Sequence, residues 1–229
     1  MPAVVRGSVD NHSMEKTVEI DFVSDVACPW CAVGLGSLEQ AIKNLHGQVQ
    51  VTVRFQPFEL NAKMPPGGQD VVEHLTQKYG ISAEQVQESQ AIIRERAQAV
   101  GFTFHPEGRG RVYNTFNCHR LLHWALHEIG AMAQQRLKKE LLITYFTLAI
   151  SLDDHQNMLD AVARAQLDVV RAKEVLDSDL FAAEVRASES YYTNLGIHSV
   201  PSIIFNKKHL IQGGQAVETF QQAILQLAQ

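Results

Sequence analysis

Cys28 and Cys31 stand three positions apart with Pro29 and Trp30 between them, and this pair is the most reactive pattern in the sequence. Two thiols at such a spacing can form and break a disulfide with each other if the chain between them turns. Positions three apart on a helix bring Cβ atoms to ~5–6 Å, whereas a disulfide needs ~3.5–4.5 Å, so a slightly tightened first turn would let the sulfurs pair. Proline in that turn forfeits no helical hydrogen bond, and its fixed φ suits a helix start. A sulfur at the N-cap faces unpaired backbone N–H groups and the positive end of the helix dipole, both of which favour thiolate over thiol. Cys28 is therefore the expected nucleophile. Cys31, one turn deeper, is the expected resolving thiol, which attacks Cys28 once a substrate sulfur is bound there.

Two other readings of the pair are a zinc half-site and a structural disulfide. Zinc normally takes four ligands, and the remaining cysteine, Cys118, lies in a run with His119, His123 and His127, so a Cys3His set is numerically open. From His119 to His127 a helix rises about 12 Å at ~1.5 Å per residue, so one ion could take at most a neighbouring pair of these histidines. No Glu lies between His119 and His123 as a hydrolytic zinc motif would require. No metal ligand is assigned, and Cys118 reads as a small buried hydrophobe.

The elements that must hold the thiols are legible around them. Val18, Ile20 and Phe22 alternate into a strand that ends just before the pair, and Leu35, Leu38 and Ile42 follow at helical spacing. Val49, Val51, Val53 and Phe55 alternate within a second strand, residues 48–58, parallel to the first because a helix joins them. After Pro65-Pro66-Gly67-Gly68 the pattern becomes helical, with helices expected over 70–79, 82–100, 114–129, 134–151, 156–167 and 180–195. Ser82 with Gln85 reads as a capping box, and Gly101, Gly130 and Gly196 stand where helices should end. Strands over 202–205 and 209–212 and a closing helix over 217–227 complete the chain. The expected fold class is α/β, a thioredoxin-like fold of βαβ plus ββα interrupted by a large all-helical insertion. The expected division is a disordered lead over 1–14, a thioredoxin-like domain from 15–61 and 196–229, and an insertion domain over 62–195.

Composition narrows the function classes. The chain has 229 residues, 45% hydrophobic content and a net charge of −5, with no block of Lys or Arg, so nucleic acid and anionic membrane surfaces are not expected partners. Residues 1–15 lack the apolar core of a secretory signal, and the expectation is a cytoplasmic protein. In a reducing cytosol a CxxC pair is more readily catalytic than structural. Sulfur exchange needs neither metal nor organic cofactor, so none is expected, with glutathione as an exchange partner.

The segments Ser24-Asp25-Val26-Ala27-Cys28-Pro29-Trp30-Cys31, Phe55-Gln56-Pro57-Phe58-Glu59-Leu60-Asn61, Asn114-Thr115-Phe116 with His119-Arg120-Leu121-Leu122-His123-Trp124-Ala125, Val200-Pro201 and Gly213-Gly214-Gln215 resemble the DsbA-like thioredoxin superfamily. They are most similar to its FrnE branch of cytoplasmic dithiol–disulfide isomerases and oxidoreductases. The resemblance spans most of the chain. It implies a dithiol–disulfide exchange enzyme acting on a disulfide-containing protein or a small thiol, with Cys28 and Cys31 catalytic. It further implies that Val200-Pro201 is a cis-proline loop facing the disulfide, with Val200 free to pair with an extended substrate. Pro29 and Trp30 would shape the active-site loop, with Asn114, His119 and Gln215 as candidate lining. Cys118 departs from that pattern, where a small residue usually stands. Two rivals remain: the glutathione-dependent kappa-class transferases and hydroxychromene carboxylate isomerases, which share the fold but usually carry Ser at the Cys28 position, and a non-catalytic, zinc-binding or scaffold protein.

Overall fold

The computed structural model describes residues 16–229, so the expected lead over 1–14 falls outside the described residues. In chain order the elements are β1 (Thr17–Ser24), α1 (Pro29–Asn44), β2 (Gln50–Pro57), β3 (Gln69–Asp70), α2 (Val71–Tyr79), α3 (Ala83–Ala99), β4 (Arg111–Val112), α4 (Phe116–Trp124), α5 (Ala131–Leu142), α6 (His155–Arg164), α7 (Val169–Leu176), α8 (Ala182–Asn194), β5 (Ser202–Phe205), β6 (His209–Gln212) and α9 (Val217–Leu227). The main sheet has the order β2-β1-β5-β6, with β1 and β2 parallel and the other two pairings antiparallel. This is the thioredoxin-like arrangement of βαβ and ββα, with helices α2 to α8 inserted between the halves.

β1 is one of the two inner strands, paired on both sides, and its inward residues are apolar. Ile20 stands opposite Val53 and Phe205, and Phe22 opposite Phe55 and Ile203; all six are buried. The Phe22 and Phe55 rings pack with centroids 5.5 Å apart. β2 is an edge strand, and a side chain closes its outer edge. Phe55 N–H donates to Gln134 Oε1 at 2.8 Å, and Gln134 Nε2 donates to Phe55 O at 2.8 Å. A primary amide thus mimics one rung of a ladder and leaves neither backbone group unpaired. The same rung ties α5 to the sheet, and the buried apolar cluster runs continuously from the sheet into the inserted helices.

Most helices lie where the periodicity places them. Ser82 and Gln85 exchange both capping-box bonds, and Asp70 caps α2 by accepting from Val72 N and Glu73 N. Four features depart from expectation. The helix expected over 114–129 is α-helical only to Trp124 and continues as a π turn over Ala125–Ile129, and that expected over 134–151 starts at Ala131 and passes into a π turn at Ile143–Thr147. Helix α7 was not expected, although Asp168 caps it and Ala172, Val175 and Leu176 make its buried face; eight residues give periodicity little room to register. The two-residue pairing of β3 with β4 is likewise too short to leave an alternating pattern.

Candidate active site

The strand-to-helix junction forms as the residue types dictate. Cys28 is the N-cap of α1, with extended backbone (φ −91°, ψ 114°), and Pro29 opens the helix. Cys31 N–H donates to Cys28 O at 3.1 Å, a three-residue turn tighter than an α-helical one. Both cysteines and Cys118 are free thiols and buried. The Cys28 S–H donates to Val200 O at 3.7 Å, and the Val200–Pro201 bond is cis.

The two thiols are driven in opposite directions. A hydrogen bond from the Cys31 thiol is the main influence that holds the Cys28 thiol below its ordinary range; burial opposes it, the N–H groups of Cys31 and Trp30 assist it, and the Asp25 charge works against it. Burial above all, then the bond to Cys28 and its charge, pushes Cys31 well up. The Cys28 anion thus depends more on its partner thiol than on the helix start alone. Cys118, on α4, has its S–H 3.6 Å from Met158 Sδ, and burial pushes it up to about 12.

Two buried charged groups underlie the pair, and sequence reasoning gave neither a role. Burial drives the Asp25 carboxyl upward, but His119 and the Leu60 N–H outweigh it and leave the group below its ordinary range. Asp25 Oδ2 accepts from Leu60 N at 2.8 Å, and Oδ1 accepts from Ala27 N at 3.2 Å. His119 Nε2 lies 3.4 Å from Oδ1, an ion-pair approach without the alignment of a hydrogen bond. Lys138, one helical turn beyond Gln134, is 1% exposed, and its Nζ has no hydrogen-bond partner among the described residues. Burial lowers its pKa, while the nearby charges of Cys31, Asp25, Cys118 and Cys28 favour the ammonium. The available signals were an acid inside an apolar stretch three positions before Cys28, and Gln134 and Lys138 sharing a helix face with Leu137 and Leu141.

The other candidates separate by place. Cys28, Pro29, Trp30 and Val200 line a partly open cavity of about 350 Å³ roofed by α2 and α3. Pro201 packs on the first turns of α1: a Cβ on Gly34 would stand 3.2 Å from Pro201 Cγ. His119 lies beneath the junction against Asp25. Asn114 lies off the cavity wall, with its Nδ2 donating to Glu59 at 3.1 Å and to Ala62 O at 3.3 Å, and its Oδ1 accepting from Phe116 N at 2.9 Å. Gln215 is also off the wall, its Nε2 donating to Gln212 O at 2.8 Å. Gly213 (φ 83°) donates its N–H to Pro201 O at 2.8 Å, so the Gly213-Gly214-Gln215 segment is a turn. His123 and His127 stack at 4.1 Å, apart from the dithiol, and burial with the His127 charge lowers His123 to about 4. Among the described residues, no group of three or more His, Cys, Asp or Glu side chains is gathered to hold a metal.

A free dithiol opening the helix after the inner strand β1 of a β2-β1-β5-β6 sheet, beside a cis-proline loop, defines the thioredoxin-like class with a helical insertion. Residues 19–225 match the DSBA-like thioredoxin domain, and the chain belongs to that family, whose members are generally thiol–disulfide oxidoreductases. A probable DsbA oxidoreductase from Streptomyces coelicolor is similar at 31% identity, with 92% of this chain and 89% of that chain covered and a TM-score of 0.82. Fold likeness at lower identity extends to a hydroxychromene carboxylate isomerase (14% identity, 91% of this chain and 95% of that chain covered, TM-score 0.67). It extends also to the cytosolic disulfide reductase DsbM from Pseudomonas aeruginosa (14% identity, 91% and 97% covered, TM-score 0.62). No curated protein matches the chain. No helix among the described residues is long and apolar enough to cross a membrane.

Proposed function

We propose that the protein is a thiol–disulfide oxidoreductase of the FrnE type that works by dithiol–disulfide exchange through Cys28 and Cys31. The observation that carries this is the geometry of two free thiols in one tight turn at the start of α1, the outer one at the N-cap and 3.7 Å from Val200 O; their mutual bond favours thiolate on the outer sulfur, and burial above all favours thiol on the inner one. The Cys28 thiolate attacks one sulfur of a substrate disulfide; the S–S bond breaks, the first substrate thiolate leaves, and a mixed disulfide remains on Cys28. Cys31 then loses its proton, attacks Cys28 Sγ and expels the second substrate thiolate, so two electrons pass from the dithiol to the substrate. Lys138 is suited to favour that deprotonation, since its charge and the Cys31 thiolate stabilise each other. Val200 and Pro201 hold the sulfur's outer side and orient the incoming disulfide.

The DsbM structure described with GSH supports a small-thiol partner as well as a protein disulfide, and the expected setting is the cytoplasm. The isomerase of similar fold favours a second reading, glutathione-dependent isomerisation, which would not need a second thiol. Insulin reduction driven by dithiothreitol distinguishes the two. The wild type should accelerate it, Cys28→Ser should abolish the acceleration, and Cys31→Ser should accumulate a mixed disulfide seen by mass spectrometry. Equal inertness of the wild type and the double variant would overturn the exchange reading, and glutathione-dependent isomerisation that survives Cys28→Ser would establish the second one.

A further inference from the structure

The cavity beside Cys28 has a composition that the exchange chemistry alone does not require. Its roof comes from α2 and α3 and its walls are mainly apolar, with Leu75, Val86, Ile93 and Phe104 among them. Its walls carry three bases, Lys78, Arg94 and Arg109, and among the described residues no Asp or Glu lines the cavity. In a chain with 25 acids against 20 bases, a site with three bases and no acid runs against the bulk composition. Among the described residues the wall group most readily made an anion is the Cys28 thiol, and Asp25 lies buried outside the lining.

These cations are also poorly neutralised by the protein. No carboxylate among the described residues makes an ion pair with any of the three. Arg109 is held by aromatic faces, its guanidinium 5.3 Å from the Tyr145 ring centre and 5.0 Å from that of Phe146, and its buried Nε has no hydrogen-bond partner among the described residues. Lys78 Nζ donates to Leu60 O at 2.9 Å and Asn61 Oδ1 at 2.8 Å, both uncharged acceptors. A buried donor left unmade is costly unless a ligand completes it, and guanidinium is the side chain best shaped for a carboxylate. A volume of about 350 Å³ lies in the range of small-molecule sites, and with Cys28 4% exposed beneath the roof the reactive sulfur is recessed.

We propose that this cavity binds low-molecular-weight disulfides that carry carboxylates on an apolar or aromatic body, with Arg109 and Arg94 receiving the carboxylate while Cys28 attacks the sulfur. The proposal rests on the exchange reading above and specifies its substrate class. The balance is that of a single turnover: reduced enzyme plus one disulfide gives the Cys28–Cys31 disulfide and two substrate thiols.

The test follows pre-reduced enzyme reacting in one turnover with dithiobis-nitrobenzoate, a dianion, and with its neutral bis-amide, each rate divided by that of a free alkyl thiol with the same compound. The wild type should prefer the dianion by at least about tenfold, a ratio equal to ~1.4 kcal/mol. That preference should shrink with added salt and fall severalfold in Arg109→Gln and, separately, in Arg94→Gln, so the result does not depend on one variant folding. A wild type that treats dianion and amide alike, or that reduces insulin while ignoring both small disulfides, would overturn the anionic-substrate proposal and leave the exchange reading standing. Failure with insulin and both small disulfides together would overturn the exchange reading itself.

Discussion

The chemistry at the junction is set by a few side chains whose charges are out of water. Cys28 and Cys31 are driven apart in proton affinity: a bond from the inner thiol lowers the outer one, while burial above all, and then that bond and the outer sulfur's charge, pushes the inner one up. Lys138 is the residue whose cost to the fold is clearest, because its amino group is buried at 1% exposure with no hydrogen-bond partner among the described residues. Lys138→Met, of similar length and without the charge, should raise stability by about 1 kcal/mol near neutral pH, measured by urea denaturation, while slowing the Cys31 release step in stopped-flow assays. The sign of the pH dependence follows from the direction of its shift. A lysine whose folded pKa is depressed binds more protons unfolded than folded, so wild-type stability should rise as pH climbs toward its unfolded value of ~10.4, and the variant's advantage should shrink over that window. A variant less stable than wild type at every pH would contradict this.

Elements matter here through how closely they approach the dithiol. The turn after β6 presses on the first turns of α1: a Cβ on Gly214 would lie 3.1 Å from Trp30 O and 3.3 Å from the Trp30 ring. Since Trp30 O belongs to helix backbone, it has little room to give. Gly214→Ala should therefore destabilise the fold by ~1–3 kcal/mol and lower exchange activity with both protein and small disulfides, whereas unaltered thermal stability and activity would show the contact to be slack. Much at this scale was legible. The alternation of Val18, Ile20 and Phe22, the proline after Cys28 and the Ser82–Gln85 cap each announce an element by a local rule, and local rules survive in the folded chain. The Gln134 rung on Phe55, the π turns at Ala125 and Ile143 and the short α7 were not legible, because each depends on a distant partner or on too few residues to set a period.

At the scale of the whole molecule, the fold class was legible because two βαβ and ββα halves bracket a helical stretch, and the dithiol was legible because its four residues are contiguous. The surroundings of the dithiol were not, since they are assembled across the chain. Asp25 follows β1, His119 comes from α4, Lys138 from α5, and the cations of the cavity from α2, α3 and the segment before β4. Asn114 and Gln215, candidate lining residues, lie off the cavity wall, where Asn114 ties its segment to the Glu59–Ala62 loop and Gln215 bonds within its own turn. The inserted helices thus supply the roof over Cys28 and the charge beneath Cys31, so the reactivity of the pair is a property of both halves packed on one continuous core. The most direct measure of the central claim is the rate at which each cysteine of the reduced protein is alkylated by iodoacetamide as a function of pH, with the sites assigned by mass spectrometry. Cys28 should be labelled first, along a curve whose midpoint lies below the ~8.5 of an ordinary thiol, with Cys31 and Cys118 far slower. Labelling of Cys31 ahead of Cys28, or a Cys28 midpoint at or above the ordinary thiol range, would contradict the account.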